Sequence, residues 1–246
     1  VEVSAPWIAP PATTKRATPE PIPEDPFSQA LISLIELGMV TSPRSVQRGI
    51  GMSQIGHACD RRIAYQTTDT PKTNFGDPLK LLVGIGVHLA LKEVFVRLDG
   101  GSGRFLVEES VTYRDIPGSF DLFDRWTKTV IDWKTTTKSR LSQYRKEGPP
   151  RSYLVQAQGY AAALAYRGED VRQIAIVFLP VDGALSAIWA YRAGVDPSIA
   201  DDAIDRVDAL RAKDPALTPS TPDRLCPWCD HYQPGSTNLE IGCPGS

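Results

Sequence analysis

The segment VIDWKTTTK, residues 130–138, sets an aspartate and a lysine two positions apart in a run that opens with β-branched residues. In a strand, positions i and i+2 share a face, so Asp132 and Lys134 project together. Burying such a pair costs free energy unless something compensates it. A second carboxylate stands upstream in PGSFDLF, where Asp121 follows Gly118 by three residues. If the two segments form a hairpin, Asp121 and Asp132 can face a common space. Converging carboxylates repel unless a cation lies between them, and hard divalent ions such as Mg²⁺ and Mn²⁺ take oxygen ligands of this kind. Lys134 beside that ion could orient or deprotonate a water, or stabilise charge developing on a phosphoryl group. A solvated strand face of mixed charge is the alternative reading.

Other residues could join this chemistry. His88 lies in a long apolar stretch, either as a hydrogen-bonded core residue or as a further ligand to the same ion. Gln156 and Tyr160 are four apart and share a helix face. They could hold a DNA backbone or orient the lysine. Residues 125–151 are locally basic, with Arg125, Lys128, Lys134, Lys138, Arg140, Arg145, Lys146 and Arg151. Phosphate contacts need such a cluster, and Trp133 and Tyr144 could add base stacking. The cysteines form a separate group. Cys226 and Cys229 make a CxxC suited to gripping one metal from a tight turn, and Cys243 and the distant Cys59 would complete a set of four. Zinc and an iron–sulfur cluster both accept four thiolates, His57 or His231 could replace one of them, and free buried thiols are the remaining possibility.

These residues need elements to position them. Residues 1–26 are rich in proline without an apolar period and read as an extended or disordered arm. Asp25 and Pro26 open a helix that Gly38 stops. Residues 51–66 hold a short helix, capped by Ser53, that carries Cys59, Arg61, Arg62 and Tyr65. Asp77 and Pro78 open a helix running to about residue 98; it is apolar on most of its surface and is expected to be central. Strands follow at 104–113, 118–123 and 128–135, the last two joined by a turn at 124–127. After a polar, proline-bearing stretch come a helix at 153–166, a hairpin pair of strands at 171–181 and 184–192, and a helix from Asp196 to about residue 212. The tail holds Cys226, Cys229 and Cys243. No internal repeat is present. This order predicts an α+β fold with a mixed sheet, not regular βαβ alternation.

Composition bounds the rest. At 246 residues with 41% hydrophobic content, the chain suits one sizeable domain. We assign residues 27–246 to it, with a core at about 77–192 and a cysteine region built from 51–66 and 213–246. A net charge of −2 means that nucleic-acid binding must come from a local patch. There is no apolar run long enough to span a bilayer and no secretory signal segment, so a cytoplasmic location and no membrane partner are expected. Four cysteines in such a chain suggest metal ligands or free thiols before disulfides.

Taken in order, the motifs resemble the RecB-like branch of the PD-(D/E)xK nucleases, and in particular CRISPR-associated and phage exonucleases bearing a four-cysteine iron–sulfur cluster. Cys59 with Arg61 and Arg62 comes first, then His88, Gly118-x-x-Asp121, Asp132-x-Lys134, Gln156-x-x-x-Tyr160 and the C-terminal cysteines. The match spans roughly residues 51–243. The resemblance implies a restriction-endonuclease-like αβββαβ core. It implies that His88, Asp121, Asp132 and the Trp133 carbonyl hold Mg²⁺ or Mn²⁺, with Lys134 catalytic and Gln156 and Tyr160 accessory. It further implies a [4Fe–4S] cluster on Cys59, Cys226, Cys229 and Cys243 that joins the two ends of the chain, with structural zinc as the alternative. Thirteen residues separate Cys229 from Cys243, more than is usual in these proteins. The function implied is a metal-dependent deoxyribonuclease, an exonuclease on single-stranded DNA or DNA ends in recombination, repair or replication. A structure-specific endonuclease and a non-catalytic DNA-binding or adaptor module are the rivals.

Overall fold

The structure, a computed structural model, describes residues 26–41, 49–68, 70–223 and 225–245. The proline-rich arm, apart from Pro26, and the Asp25 cap lie outside them. The helices are α1 (Pro26–Val40), α2 (Asp60–Thr67), α3 (Leu79–Asp99), α4 (Lys138–Glu147), α5 (Arg151–Tyr166) and α6 (Ser198–Arg211). The strands are β1 (Phe105–Val107), β2 (Ser110–Tyr113), β3 (Ile116–Ser119), β4 (Leu122–Asp124), β5 (Thr129–Thr136), β6 (Gln173–Pro180) and β7 (Trp189–Gly194). One sheet has the order β1-β4-β5-β6-β7, and β2 pairs β3 in a separate two-stranded sheet. Only β5 and β6 pair in parallel, so the larger sheet is mixed, as the element order requires. Between them the chain crosses over through α4 and α5. In chain order α3, β1, β4, β5, α5 and β6 form an αβββαβ core.

Alternation along β5 fixes which helix sees which residues. Trp133 stacks on Phe95 of α3 with centroids 5.7 Å apart. The flanking positions Asp132 and Lys134 point to the other face, where Lys134 reaches Gln156 of α5. The two helices therefore cover opposite faces of the sheet.

The central helix is α5, not α3. Every residue of α5 from Val155 through Leu164 is buried. It lies between the sheet, the β2–β3 hairpin and α6, and its glycine and alanines let those neighbours approach closely. Gly159 is filled by Met52: a Cβ there would lie within 2.2 Å of the Met52 sulfur. By contrast no residue of α3 is buried, and Leu79, Leu81, Leu82, Val83, Leu89, Val94, Val96 and Leu98 are exposed. Its contact with the sheet needs only one stripe, in which Phe95 meets Phe105 and Trp133. Apolar content all round a helix thus misidentified the centre. Among the described residues, no helix is long and apolar enough to cross a membrane.

Three local expectations also change. The strands expected at 104–113 and 118–123 each break in two, at Glu108 and at Asp121, and their outer halves leave the main sheet as the β2–β3 hairpin. Residues 52–56 form turns rather than a helix, so α2 is preceded by Cys59 at its N-cap position and not by Ser53. The polar stretch after β5 contains α4, capped by the Thr137 side chain, which accepts from the Arg140 amide.

Candidate active site

The β4–β5 hairpin forms as expected, with Leu122 opposite Ile131 and Asp124 opposite Thr129. Its turn is tied by Asp124, whose carboxylate takes Arg104 Nε and Nη2 at 2.9 and 3.0 Å. Asp124 also accepts from the Trp126 amide and the Thr127 hydroxyl. The Arg104 guanidinium holds the Asp124 carboxyl below the usual aspartate range.

Asp121 sits in the bend where β3 gives way to β4. Gly118 makes that approach possible: a Cβ there would stand 2.7 Å from the Tyr160 ring and 2.8 Å from Met52 Cβ. One carboxylate oxygen of Asp121 accepts the Trp133 amide at 2.7 Å, and the other lies 3.1 Å from His88 Nδ1. That hydrogen bond raises the His88 pKa, against the opposite pull of burial. A strand residue sends its N–H and C=O to the same flank. The Trp133 carbonyl therefore leaves β5 on the side where Asp121 stands.

Asp132 is 1% exposed and Lys134 Nζ lies 2.7 Å from its Oδ2. Burial raises the Asp132 pKa; Lys134 opposes the shift, and the neighbouring Asp121 adds to it. Lys134 is in turn held by Gln156 Oε1 at 2.9 Å and lies 4.7 Å from the centre of the Tyr153 ring. Gln156 donates its amide to the Tyr160 hydroxyl at 3.1 Å. His88 and Asp121 thus form one hydrogen-bonded group and Asp132, Lys134, Gln156 and Tyr160 another, near enough that the charges of Asp121 and His88 act on Asp132.

The arrangement fits a divalent cation because ligand atoms of His88, Asp121 and a third residue, Glu108, all lie within 4.8 Å of one another. Glu108 was missed from sequence. It interrupts the strand at a backbone φ of +49°, a left-handed conformation that costs a non-glycine residue about 1–2 kcal/mol. Its side-chain neighbour is Lys92, one turn after His88 on α3, with Nζ 3.6 Å from Glu108 Oε2. Nothing in the local pattern of residues 104–113 singled it out.

The basic stretch does not stay together. Arg125 and Lys128 lie at the hairpin turn and pair with Glu169 and Asp170. Lys138, Arg140, Arg145 and Lys146 are on α4, with Arg151 at the start of α5. Trp133 and Tyr144 each have an internal ring partner: Trp133 stacks on Phe95, and Tyr144 lies 4.6 Å from Phe178.

The cysteines lie apart from this site. All four line one cavity with Arg61 and Tyr65, and none is in a disulfide. Sulfur atoms there receive backbone N–H groups, Thr221 to Cys59 at 3.5 Å and Asp223 to Cys226 at 3.3 Å. Arg61 Nη1 is 3.7 Å from the Cys243 sulfur. The long gap before Cys243 is closed by a parallel bridge to Tyr232 and by the Cys243 amide donating to the His231 carbonyl at 2.8 Å. Of the two histidines, only His57 also lines the cavity. The ring nitrogens of His57 meet the Cys59 amide and the Arg62 guanidinium, at 3.2 and 2.9 Å. His231 stacks on Tyr65 at 4.7 Å, outside the cavity.

The αβββαβ order of the core is the one that the sequence resemblance leads one to expect. No family model matches the chain, and no curated protein matches it. Solved structures similar to it include an alkaline exonuclease from Laribacter hongkongensis, also solved with dAMP, at 14% identity over 67% of this chain and 86% of that one, with a TM-score of 0.45. A phage-related exonuclease from Haemophilus somnus is similar at 20% identity over 50% of this chain and 66% of that one, with a TM-score of 0.33. The protein SSO0001 is similar at 16% identity over 89% and 96%, with a TM-score of 0.46.

Proposed function

We propose that the protein is a metal-dependent deoxyribonuclease that hydrolyses phosphodiester bonds at DNA ends or in single-stranded DNA. The observation that supports this is the His88–Asp121 pair beside the Asp132–Lys134–Gln156–Tyr160 chain at the β4–β5 hairpin, with Asp121 and His88 acting electrostatically on the buried Asp132. Asp121, Asp132, His88 and the Trp133 carbonyl would hold Mg²⁺ or Mn²⁺. When bound, such an ion supplies charge stabilisation at phosphoryl oxygens and a more acidic water.

The chain's own residues do the rest. The Trp133 amide fixes one oxygen of Asp121 and leaves the other toward His88. Gln156 and Asp132 hold Lys134 Nζ in place, so its positive charge needs little reorganisation as negative charge builds on the phosphate. A retired site would gain nothing from a buried carboxylate and ammonium, which argues against a purely binding module. Preference for ends follows from the resemblance to exonucleases. Incubation of end-labelled linear and circular single-stranded DNA with Mg²⁺ or Mn²⁺ tests it. Linear substrate should shorten while circles persist; cut circles would indicate an endonuclease, and no cleavage of either would reject the nuclease reading.

The cysteine cavity is read as the seat of a [4Fe–4S] cluster on Cys59, Cys226, Cys229 and Cys243. All four cysteines face one cavity, so one group could be held by all of them, and the resemblance to cluster-bearing nucleases selects the cluster over a structural zinc. When bound, the cluster would cross-link the two ends of the chain. Anaerobically purified protein should be brown, with about four irons per chain. A colourless protein with one zinc and no sulfide would reject the cluster.

A further inference from the structure

We infer that Glu108 is a ligand of the divalent cation, completing its site with His88 and Asp121; this rests on the metal-nuclease reading above. Two features place it there. The ligand atoms of Glu108, His88 and Asp121 all lie within 4.8 Å of one another, whereas Asp132 is not part of that group. Asp132 is instead buried against Lys134. The Glu108 amide donates to the Asp121 carbonyl at 3.0 Å, so the two residues are locked together at the backbone. Carboxylate oxygens and an imidazole nitrogen suit Mn²⁺. Glu108 is then a ligand beside Asp121, His88 and Asp132, and Asp132 alone of the carboxylates also holds the lysine.

The test is Mn²⁺ binding to the full chain, read from the EPR signal of free Mn²⁺ and by calorimetry. Wild type, Glu108→Gln and Glu109→Gln are compared. Glu108→Gln should weaken Mn²⁺ binding by at least about tenfold. Glu109→Gln, whose carboxylate meets Arg167, should leave it unchanged. Melting in EDTA reports whether the fold is intact. If Glu108→Gln does not fold, Glu108→Gly, which suits the left-handed backbone, is read the same way. Equal affinity in wild type and the Glu108 variant overturns the assignment while leaving the metal site standing. Wild type that binds no Mn²⁺ overturns the metal reading itself.

Discussion

Lys134 is confined by Asp132, Gln156 and the Tyr153 ring, and its placement depends on all three. Gln156→Ala should therefore lower kcat by about tenfold or more while KM for DNA changes little, because it moves the lysine and not the substrate. Steady-state kinetics on a labelled oligonucleotide check this, and an unchanged kcat would make Gln156 a bystander. Gly118→Ala should cost about 1–3 kcal/mol, since its methyl meets Tyr160 and Met52 in a packed core. Urea midpoints of variant and wild type measure it. At this scale much was legible in the sequence: the i, i+2 spacing of Asp132 and Lys134 and the i, i+4 spacing of Gln156 and Tyr160 each place two side chains on one face. Glu108 was not legible, because it belongs to no period. Its position comes from a break in the backbone that local pattern does not announce.

Helices with apolar residues or cap signals were found, and α4, which has few apolar residues, was missed. The ten residues of α4 bury only Leu141, so no apolar stripe marked the helix. The small residues of α5 hid its central place, while the bulky ones of α3 claimed that place wrongly. The split of the basic stretch between elements has a measurable consequence. Charge removal at Arg140, Arg145 and Lys146 should reduce the salt dependence of single-strand binding, by about 0.7 in slope for each phosphate that is no longer neutralised. Neutralising Arg125 and Lys128 should not, since Glu169 and Asp170 already engage them. Binding titrations across a salt series compare the two sets; equal effects would put the DNA at the hairpin turn. The same turn carries a pH-dependent term. Because Arg104 depresses the Asp124 pKa, its contribution is present above about pH 4, the ordinary aspartate value, and is lost as pH falls through the lower folded value. Urea unfolding at pH 7 and in acid should show Asp124→Asn less stable at neutral pH but converging on wild type in acid. A constant gap would place the loss elsewhere.

In the whole molecule, the segment before α3 is sewn to α6 and the C-terminal tail. Arg206 of α6 ties Asp60 and the His57 carbonyl, Arg61 takes the Thr218 carbonyl, and Asn74 takes the carbonyls of Pro227 and Cys229. Cys59 meets the late cysteines through these contacts, so a bound cluster would close a very long loop. By analogy with a disulfide, such a closure is worth about 4–5 kcal/mol. Sequence spacing suggested that grouping but not how the long Cys229–Cys243 gap folds back, which depends on the Tyr232–Cys243 bridge. The central claim is that the site at the β4–β5 hairpin hydrolyses DNA. It is tested most directly by cleavage of an end-labelled oligonucleotide by wild type, Asp132→Ala and Lys134→Ala protein, each with Mg²⁺, with Mn²⁺ and with EDTA. Wild type should cleave only with a divalent ion, and each variant should be at least about a hundredfold slower, or about 3 kcal/mol higher in barrier. Cleavage by Asp132→Ala or Lys134→Ala at the wild-type rate would contradict the account.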